Sequence, residues 1–495
     1  MNKENKLTPK EKEFCQNVEK AILVNQFSDE RGALDLRIAG LSENKGYEET
    51  YEAAVVEVNN QIYKLAKRGI TSLTRISTKD RKLLQNLYLF EFFHLFLDEF
   101  DEFILDQVDN TENKLVEFSD NAFNYLHDKG FSTDESRHFF SLSFQIRRAF
   151  YFIDRNLVGI SDSMKQFRRN LWDNVFTCDL DLYNDYLWNR MEDFSTLILG
   201  DTGTGKGTAA KAIGMSGYIP FDERKQKFKE NFNNSFISIN LSQYSESLIE
   251  SELFGHKKGA FTGAVGDHQG VFETCSSYGS IFLDEIGDVS KPVQIKLLKV
   301  LEERVYTPVG SHTEKRFKGR IIAATNKNID SLLSKGHMRD DFFYRLSSDI
   351  IEVPKLSQRI RENSSELTDM VNFTVHKIVG KNSKDLSKQV KSSLLKTPGK
   401  NYNWPGNVRE LAQAVRRILL KKSYEGRGTV HSEGSNSMLS RKMDSGEIDA
   451  LNLTKGYCFM LYERYGTYGE VARRTQLDRR TVKKYIDDWD NETLT

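Results

Sequence analysis

Proline is nearly absent from the first 219 residues, and this limits what that part of the chain can fold into. The 495 residues contain seven prolines, and Pro9 is the only one before Pro220. An average protein, with about 5% proline, would carry roughly ten in that stretch. Because proline interrupts helices, its absence favours long ones. Apolar residues recur at three- and four-residue spacing in four segments: Tyr47 to Lys67, Asp80 to Val108, Glu112 to Asp128 and Asp134 to Asn156. We therefore predict an all-helical domain over residues 1–156.

The pattern changes after this helical stretch. Short runs typical of strands appear at Thr196 to Leu199, Phe236 to Ile239, Ser280 to Leu283 and Arg320 to Ala324. Helical patterns separate these runs, and such alternation predicts a parallel α/β sheet. After Pro354 the pattern is helical and polar. Residues 423–445 are rich in glycine, serine and charge, which is typical of a linker, and residues 451–489 are helical again.

Charge and cysteine content exclude several classes of protein. Lysine plus arginine total 71 and aspartate plus glutamate total 71, so any DNA-binding surface must be local. The four cysteines contain no Cys-x-x-Cys pair, which argues against a zinc ribbon or disulfide scaffold and fits a reducing cytosol: Cys15, Cys178, Cys275 and Cys458. Met1 to Lys12 lacks the apolar core of a signal peptide, and charges interrupt the apolar stretch Leu83 to Val108. We expect neither export nor a membrane span.

A glycine-rich run follows the first predicted strand and opens a helix. Backbone N–H groups of such a loop face phosphates, the helix dipole adds to the attraction, and Lys206 would reach the β/γ oxygens. The alternative, a simple glycine-rich turn, is disfavoured by this setting between strand and helix. Gly207 stands where a serine or threonine usually binds Mg²⁺, and Thr208 comes one residue late. The predicted nucleotide-binding residues are Gly200, Asp201, Thr202, Gly203, Thr204, Gly205, Lys206, Gly207 and Thr208.

Two later strands end in polar residues. Asp284 would hold Mg²⁺ and Glu285 would polarise the attacking water, although a solvated acidic loop would look the same in isolation. Asn326 could sense the γ-phosphate or position the water, but an asparagine after a strand is more often a turn former. Together with the phosphate loop, these residues predict nucleotide hydrolysis.

Two arginines share one short polar-aromatic segment. Arg339 and Arg345 are candidate arginine fingers, which a neighbouring subunit would supply to stabilise transition-state charge. A surface ion pair with Asp340 or Asp341 is the competing interpretation.

The run from Glu250 to Ala264 contains the unbroken sequence Gly-Ala-Phe-Thr-Gly-Ala. This loop resembles the one that marks the AAA+ activators of sigma-54 RNA polymerase, the bacterial enhancer-binding proteins. The resemblance extends from Leu157 to Leu411 and covers about half of the chain. It includes the phosphate loop, the acidic strand end, both arginines and the run Trp404-Pro-Gly-Asn-Val-Arg-Glu-Leu411.

The resemblance implies an ATPase ring, usually hexameric, with ATP and Mg²⁺ bound between subunits. Asn240 would couple the catalytic glutamate to nucleotide state, and Arg409 would be the second sensor on a helical lid. The residues implied in contact with the sigma factor are Gly259, Ala260, Phe261, Thr262, Gly263 and Ala264. This sequence departs from the family at Gly207, where an acid is usual, and at Ser357, where arginine is usual. It also carries an extra stretch, Thr177 to Asp193.

The C-terminal segment Tyr468 to Ile486 has a helix–turn–helix pattern and resembles the Fis-type DNA-binding domain that ends most of these activators. Its second helix would present a basic face to phosphates and guanine edges. The predicted DNA-binding residues are Arg479, Arg480, Thr481, Lys483 and Lys484. A merely solvated basic helix is the alternative.

The N-terminal domain resembles no family that we recognise, and its position suggests regulation or sensing. Two Glu-x-x-His units, Glu91 with His94 and Glu135 with His138, are the spacing of a di-iron site. Glu135 lies in the first turn of its helix, where a carboxylate is favourable without metal. We therefore favour no metal there. The aromatic stripe through Tyr88, Phe92, Phe96 and Phe103 predicts core or an oligomer contact.

The sequence thus predicts a multidomain protein. The expected domains are a helical regulatory domain (1–156), an AAA+ α/β P-loop ATPase (157–355) with a helical lid (356–422), a linker (423–450) and a helix-turn-helix domain (451–495). The expected function is ATP-driven activation of sigma-54 RNA polymerase from upstream double-stranded DNA in the bacterial cytoplasm. The alternatives are a sigma-independent AAA+ remodelling or DNA-bound regulatory ATPase and, because of Gly207, a DNA-binding regulator without turnover.

Overall fold

The computed structural model describes residues 5–42, 46–426, 443, 446 and 448–493. The chain forms two compact units. The first comprises Met1–Lys391 and Gly406–Val415, and the second comprises Ser392–Pro405 and Arg416–Thr495.

The first unit begins with helices, as the low proline content predicts. They are α1 (Pro9–Leu23), α2 (Asp29–Ala39), α3 (Tyr47–Lys67), α4 (Arg81–Leu95), α5 (Leu97–Asp109), α6 (Ser119–Asp128), α7 (Thr133–Asn156), α8 (Asp162–Phe176) and α9 (Leu180–Leu182). Local signals set several starts: Thr8 with Glu11, and Ser132 with Glu135, form capping boxes at α1 and α7. The predicted helix over Tyr47 to Lys67 is confirmed.

Two helix predictions in this region are wrong in their bounds. The helix predicted from Asp80 to Val108 is two helices, because the backbone at Phe96 leaves helical geometry. The helix predicted from Glu112 begins only at Ser119. Residues before it pair elsewhere, since the amide of Asn231 donates to the carbonyl of Glu112 and the N–H of Val116 donates to the carbonyl of Gln226.

Strands follow these helices. In chain order they are β1 (Thr196–Leu199), β2 (Phe221–Asp222), β3 (Lys227–Phe228), β4 (Phe236–Asn240), β5 (Ser280–Asp284), β6 (Val305–Tyr306), β7 (Lys315–Arg316), β8 (Arg320–Thr325) and β9 (Asp349–Glu352). Five of them form one sheet in the order β4–β5–β8–β1–β9, and all of its strand pairs are parallel. The predicted parallel α/β sheet is confirmed. The edge strand β9 was not predicted, because its four residues carry no turn or apolar-run signal.

Helices cover this sheet and continue beyond it. They are α10 (Lys206–Gly214), α11 (Glu246–Phe254), α12 (Val271–Thr274), α13 (Lys291–Glu303), α14 (Ile329–Ser334), α15 (Asp340–Leu346), α16 (Leu356–Glu362), α17 (Glu366–Val379), α18 (Lys384–Leu394) and α19 (Asn407–Lys421).

The hairpin of β2 and β3 joins the sheet segment to the N-terminal helices through an aromatic core. The ring of Phe228 lies 4.1 Å from that of Phe144 and 5.8 Å from that of Phe140, and Phe221 lies 4.7 Å from Phe140. Residue 156 therefore ends α7 but does not end the core. The aromatic stripe predicted as core is buried throughout: Tyr88, Phe92, Phe96 and Phe103.

The second unit contains α20 (Ala450–Tyr465), α21 (Tyr468–Thr475) and α22 (Arg479–Thr493). Their small core consists of Cys458, Leu461, Val471, Val482 and Ile486. Most of the predicted linker, residues 427–442, lies outside the described residues. Among those that are described, every helix is too short or too polar to cross a membrane.

Candidate functional site

The glycine-rich loop lies between the end of β1 and the start of α10. Gly203 and Gly205 have φ of 80° and 115°, which favour glycine. A side chain at Gly203 would collide with the carbonyl of Gly406, so the loop also needs glycine for close approach of the backbone. Lys206 is 7% exposed, and its Nζ donates to the carbonyls of Gly200 at 2.9 Å and Asp201 at 3.4 Å. The structure therefore holds one ammonium group at a loop of the geometry that phosphate binding requires.

The acidic strand end lies beside this loop. Asp284 ends β5, and Glu285 follows it in a left-handed conformation with φ of 58°. The N–H of Asn326 donates to Glu285 Oε2 at 3.3 Å, and Asn326 Nδ2 donates to Thr202 Oγ1 at 2.9 Å. One asparagine thus connects the acidic pair to the phosphate loop. The structure brings these predicted residues together.

Asn240 ends β4, the neighbouring strand, opposite Asp284 in the sheet register. The Oδ1 of Asn240 accepts hydrogen bonds from the N–H of Ser242 at 3.0 Å and from the hydroxyl of Ser242 at 2.8 Å. Within the described residues, no hydrogen bond joins Asn240 to Glu285, so its coupling role stays a prediction.

The segment beginning at Gly406 contacts the other side of the loop. Asn407 Nδ2 donates to the carbonyl of Thr202 at 3.1 Å, and the N–H of Arg409 donates to the carbonyl of Gly203 at 3.2 Å. The side chain of Arg409 is exposed. The sequence analysis included Asn407 in a motif but gave it no role, because only the folded chain shows that it lies against the phosphate loop.

The next helices are fixed by a buried ion pair that the sequence analysis missed. Arg359 Nε donates to Glu366 Oε1 at 2.6 Å, and the two residues are 3% and 0% exposed. The other carboxylate oxygen accepts from the N–H groups of Ile160 at 2.8 Å and Ser161 at 3.2 Å. Although burial lowers the pKa of Arg359, the carboxylate of Glu366 opposes this effect. The pair connects the segment before α8 to α16 and α17.

The two candidate arginine fingers have different surroundings. Arg339 forms a bidentate ion pair with Asp341, at 2.9 Å and 2.6 Å, which matches the competing interpretation. This hydrogen-bonded pair raises the pKa of Arg339 and lowers that of Asp341 to about 2. Arg345 is exposed, and its Nε donates to the carbonyl of Leu301 at 3.1 Å. A role in a neighbouring subunit stays a prediction for both.

The Gly-Ala-Phe-Thr-Gly-Ala segment forms a tight loop. The N–H of Gly259 donates to the carbonyl of Ala264 at 2.9 Å, which closes the loop at its base. Thr262 and Gly263 are exposed, while Phe261 is half-buried with its ring 4.9 Å from that of His256. The loop therefore presents Thr262 and Gly263 at its tip, while the ring of Phe261 packs against His256.

The predicted DNA-binding residues begin α22. Asp478 caps this helix, because its carboxylate accepts from the N–H groups of Arg480 at 2.9 Å and Thr481 at 3.0 Å. A hydrogen bond from the hydroxyl of Thr481, together with these backbone hydrogen bonds, lowers the pKa of Asp478. Of the five predicted DNA-binding side chains, Thr481 is half-buried and four are exposed: Arg479, Arg480, Lys483 and Lys484.

The four residues considered as metal ligands have separate partners. Glu91 pairs with Lys129 at 2.9 Å, and Glu135 completes the capping box of α7. His94 Nδ1 lies 2.7 Å from the carbonyl of Phe90. His138 contacts Asn184 Oδ1 at 2.8 Å. Within the part of the chain that the structure describes, no group of three or more His, Cys, Asp or Glu residues is arranged to hold a metal.

Magnesium at the phosphate loop is a different case, because it would be held partly by the nucleotide. Asp284 offers a carboxylate at the end of β5, partly exposed and close to the loop. Thr208 is exposed on the first turn of α10, and Gly207 beside it has no oxygen to offer. The oxygens that fit Mg²⁺ here are those of Asp284 and Thr208.

Comparison with known proteins agrees with the motifs. Residues 185–352 match the family described as the sigma-54 interaction domain. Nitrogen fixation protein AnfA of Azotobacter vinelandii is 34% identical over 300 residues, which cover 58% of this chain and 51% of AnfA. The sigma54-dependent transcriptional activator SfnR of Pseudomonas putida is 36% identical over 243 residues, which cover 48% of this chain and 59% of SfnR. The chain thus spans about half the length of these curated relatives.

The structure also aligns with that of NtrX from Brucella abortus in complex with ATP, over 76% of this chain and 80% of that one, at 20% identity and a TM-score of 0.43. The sequence matches confirm the resemblance to sigma-54-dependent activators. The five-stranded parallel sheet and its phosphate loop lie within the matched residues 185–352.

Proposed function

We propose that this chain is a transcription activator of the bacterial cytoplasm that hydrolyses ATP, binds upstream double-stranded DNA and remodels the sigma-54 RNA polymerase closed complex to the open complex. The observation that carries the ATPase part is the hydrogen-bond path from Thr202 through Asn326 to Glu285. It joins the loop that would bind phosphates to the carboxylate that would act on water.

In this proposal each domain has one task. Residues 1–156 regulate, residues 157–355 with the lid 356–422 hydrolyse ATP, residues 423–450 link, and residues 451–495 bind DNA.

The proposed hydrolysis follows from the positions of the side chains. The loop N–H groups and Lys206 bind the phosphates, and Asp284 would hold Mg²⁺, which would neutralise part of their charge. Glu285 orients the attacking water. The backbone N–H of Asn326 bonds Glu285 and its side chain bonds Thr202, so loss of the γ-phosphate from the loop is transmitted to the glutamate through a single residue.

A first experiment measures phosphate release from ATP by the full-length protein. We expect Lys206→Ala and Glu285→Gln each to lower the rate by about 100-fold or more, because they remove phosphate-binding charge and water activation. Lys211→Ala is the matched control, since Lys211 lies exposed on the same helix α10. Normal hydrolysis by Lys206→Ala would refute this assignment of the site, and hydrolysis by the natural chain would dispose of a regulator without turnover.

Contact with the sigma factor is assigned to the exposed tip of the loop around Thr262. Thr262→Ala should abolish opening of a supercoiled sigma-54 promoter while ATP hydrolysis continues. Thr313→Ala, on another surface loop, is the control. Unchanged promoter opening in Thr262→Ala would refute the assignment. Hydrolysis without any promoter opening by the natural chain would favour the sigma-independent alternative.

The proposed ring, hexameric as in the family, brings Arg339 or Arg345 to a neighbouring nucleotide. Exposure of Arg345 supports this role, while Arg339 must first leave Asp341. Mixing Arg345→Ala chains with Lys206→Ala chains should restore part of the hydrolysis at interfaces that combine two intact halves. If mixed rings assemble and show no recovery, the trans arrangement is refuted.

DNA binding is assigned to the basic start of α22. Arg479→Ala and Lys483→Ala should each weaken binding to DNA and lower the slope of log affinity against log salt by about 1 where the lost contact is to phosphate. Arg473→Ala is the control, because Arg473 already pairs with Glu470 at 2.6 Å. Unchanged affinity in both test variants would favour a merely solvated helix.

A further inference from the structure

The first unit contains a cavity of about 1090 Å³ that neither the ATPase site nor the sigma-contact loop uses. It lies among the helices α1, α2, α3, α4, α5, α7 and α8 and the segment at residues 180–185, which begins with α9. Sites for small organic molecules commonly enclose about 300–1,000 Å³. This cavity is therefore large enough for a whole small molecule.

Aromatic and aliphatic side chains form much of its wall. Phe90 and Phe93 contribute from α4, Phe139 and Phe150 from α7, and Trp172 from α8. Phe93 and Phe150 are only half-buried, although most of the other aromatic residues on α4 and α7 are buried. Such a wall favours a flat apolar ligand, because rings pack in stacked or edge-on arrangements against it.

The charged residues of the wall favour an uncharged ligand. The four lining cations are already paired: Arg31 with Asp35, Arg81 with Glu135, Lys82 with Asp181, and Arg147 with Asp101. The other lining carboxylates, those of Glu48, Glu49 and Asp185, are exposed and keep their hydration. A charged ligand would lose its own hydration on entering and would meet only paired cations and hydrated carboxylates.

His94 gives the cavity a directional polar group. Its Nδ1 lies 2.7 Å from the carbonyl of Phe90, which can only accept, so Nδ1 carries the proton. In the neutral ring Nε2 is then an acceptor, and it has no hydrogen-bond partner among the residues described. Burial lowers the pKa of His94 to about 4, so the ring is neutral at pH 7. A ligand that bonds Nε2 must supply a donor.

We propose that this cavity is a binding site for an uncharged aromatic small molecule that donates one hydrogen bond, from an O–H or N–H group, to His94 Nε2. The site lies where a ligand can affect both parts of the first unit. Its wall combines Phe93 of α4 with Trp172 of α8 and with Asp181, which bonds Lys82 at 2.9 Å. The extra stretch from Thr177 to Asp193 thus forms part of the pocket.

The test uses titration calorimetry on the full-length protein without nucleotide, so that its outcome is independent of ATP hydrolysis. The probes are indole and 2-naphthol, which are uncharged aromatic donors, and indene, which has the shape of indole without the N–H. We expect saturable binding of one molecule of indole or 2-naphthol per chain. Indene should bind about ten-fold more weakly, as one buried hydrogen bond predicts.

Two variants that fill the cavity decide whether binding occurs there. Leu142→Trp should abolish binding, and Ser143→Phe repeats the test at a second lining position in case the first variant misfolds. Leu105→Trp, at an exposed site on α5 outside the lining, is the control. His94→Phe should remove the preference for indole over indene.

Several results would overturn the proposal. One is the absence of saturable binding by both donors up to about 1 mM, an affinity near the weak limit for small ligands. Another is unchanged binding in two folded filling variants. Equal affinity of the natural chain for indole and indene would overturn the hydrogen bond to His94 and with it the proposed ligand class.

Discussion

Replacing Glu366 by glutamine tests whether the buried ion pair holds the segment before α8 against α16 and α17. The carboxylate is 0% exposed, and it accepts from Arg359 and from the N–H groups of Ile160 and Ser161. Glutamine keeps the shape, removes the charge and replaces one acceptor by a donor. Whichever way the amide turns, its NH₂ group then faces either the guanidinium or the two backbone donors.

The expected loss follows from these contacts. Hydrogen bonds to charged groups contribute about 1.5–3 kcal/mol each, and removing one partner of a buried ion pair costs about 3–5 kcal/mol. We therefore expect Glu366→Gln to lose about 3–5 kcal/mol of unfolding free energy. A side chain at Gly159 would collide with Glu366 Oε1, so Gly159→Ala should disturb the same contact.

Urea unfolding at pH 7, with hydrogen exchange at residues 158–161, measures the effect. Glu302→Gln makes the same chemical change at an exposed position of α13 and should stay within about 0.5 kcal/mol of the natural chain. The double variant Arg359→Met with Glu366→Leu removes both charges, and it should be more stable than Glu366→Gln alone. A loss below about 1 kcal/mol in Glu366→Gln, or no recovery in the double variant, would refute this reasoning.

Four further predictions concern the first unit. Phe228→Ala should cost about 3–5 kcal/mol in thermal unfolding, because the ring is 1% exposed in the aromatic core. Gly207→Ala should raise stability by about 0.5–1 kcal/mol, since a β-carbon there meets its nearest neighbour only at 3.8 Å. Burial raises the pKa of Asp80, but hydrogen bonds, led by the one from Lys12, outweigh this effect and lower the pKa. The stability that these bonds contribute is present above about pH 4 and lost below it. Asp80→Asn should therefore destabilise the protein less in acid than at pH 7. His94 is a base, and burial lowers its pKa from 6.5 to about 4 in the folded chain. As the pH falls below 6.5, the imidazole of the unfolded chain therefore takes up a proton before that of the folded chain. Stability should drop from there towards pH 4, and His94→Phe should flatten that part of the pH profile.

The ATPase segment could be predicted because its signals are local. The loop up to Lys206 combines turn glycines with one lysine, and the acidic pair at Asp284 stands directly after an apolar run. Parallel strands bring such ends to one edge of a sheet, so spacing along the chain was enough to indicate their proximity. The bond from Asn407 to Thr202 could not be found in this way, because 205 residues separate them.

The N-terminal part was predictable only as helix. Residues 221–228 read as a charged loop with phenylalanine at each end, and nothing local indicates that these two rings enter an aromatic core. The same hairpin draws Val116 out of the predicted helix. The cavity beside His94 depends on how several helices pack together, which periodicity cannot determine.

The hairpin also sets an order of events during synthesis. The N-terminal helices leave the ribosome first, but the rings of Phe140 and Phe144 pack against Phe228, which is translated after α7 is complete. At about 5–20 residues per second, the nascent chain needs several seconds to travel from residue 156 to residue 228. During that interval the aromatic faces of the N-terminal helices are exposed, so this protein should depend on ribosome-associated chaperones. A transcript truncated before the hairpin should yield a product that aggregates.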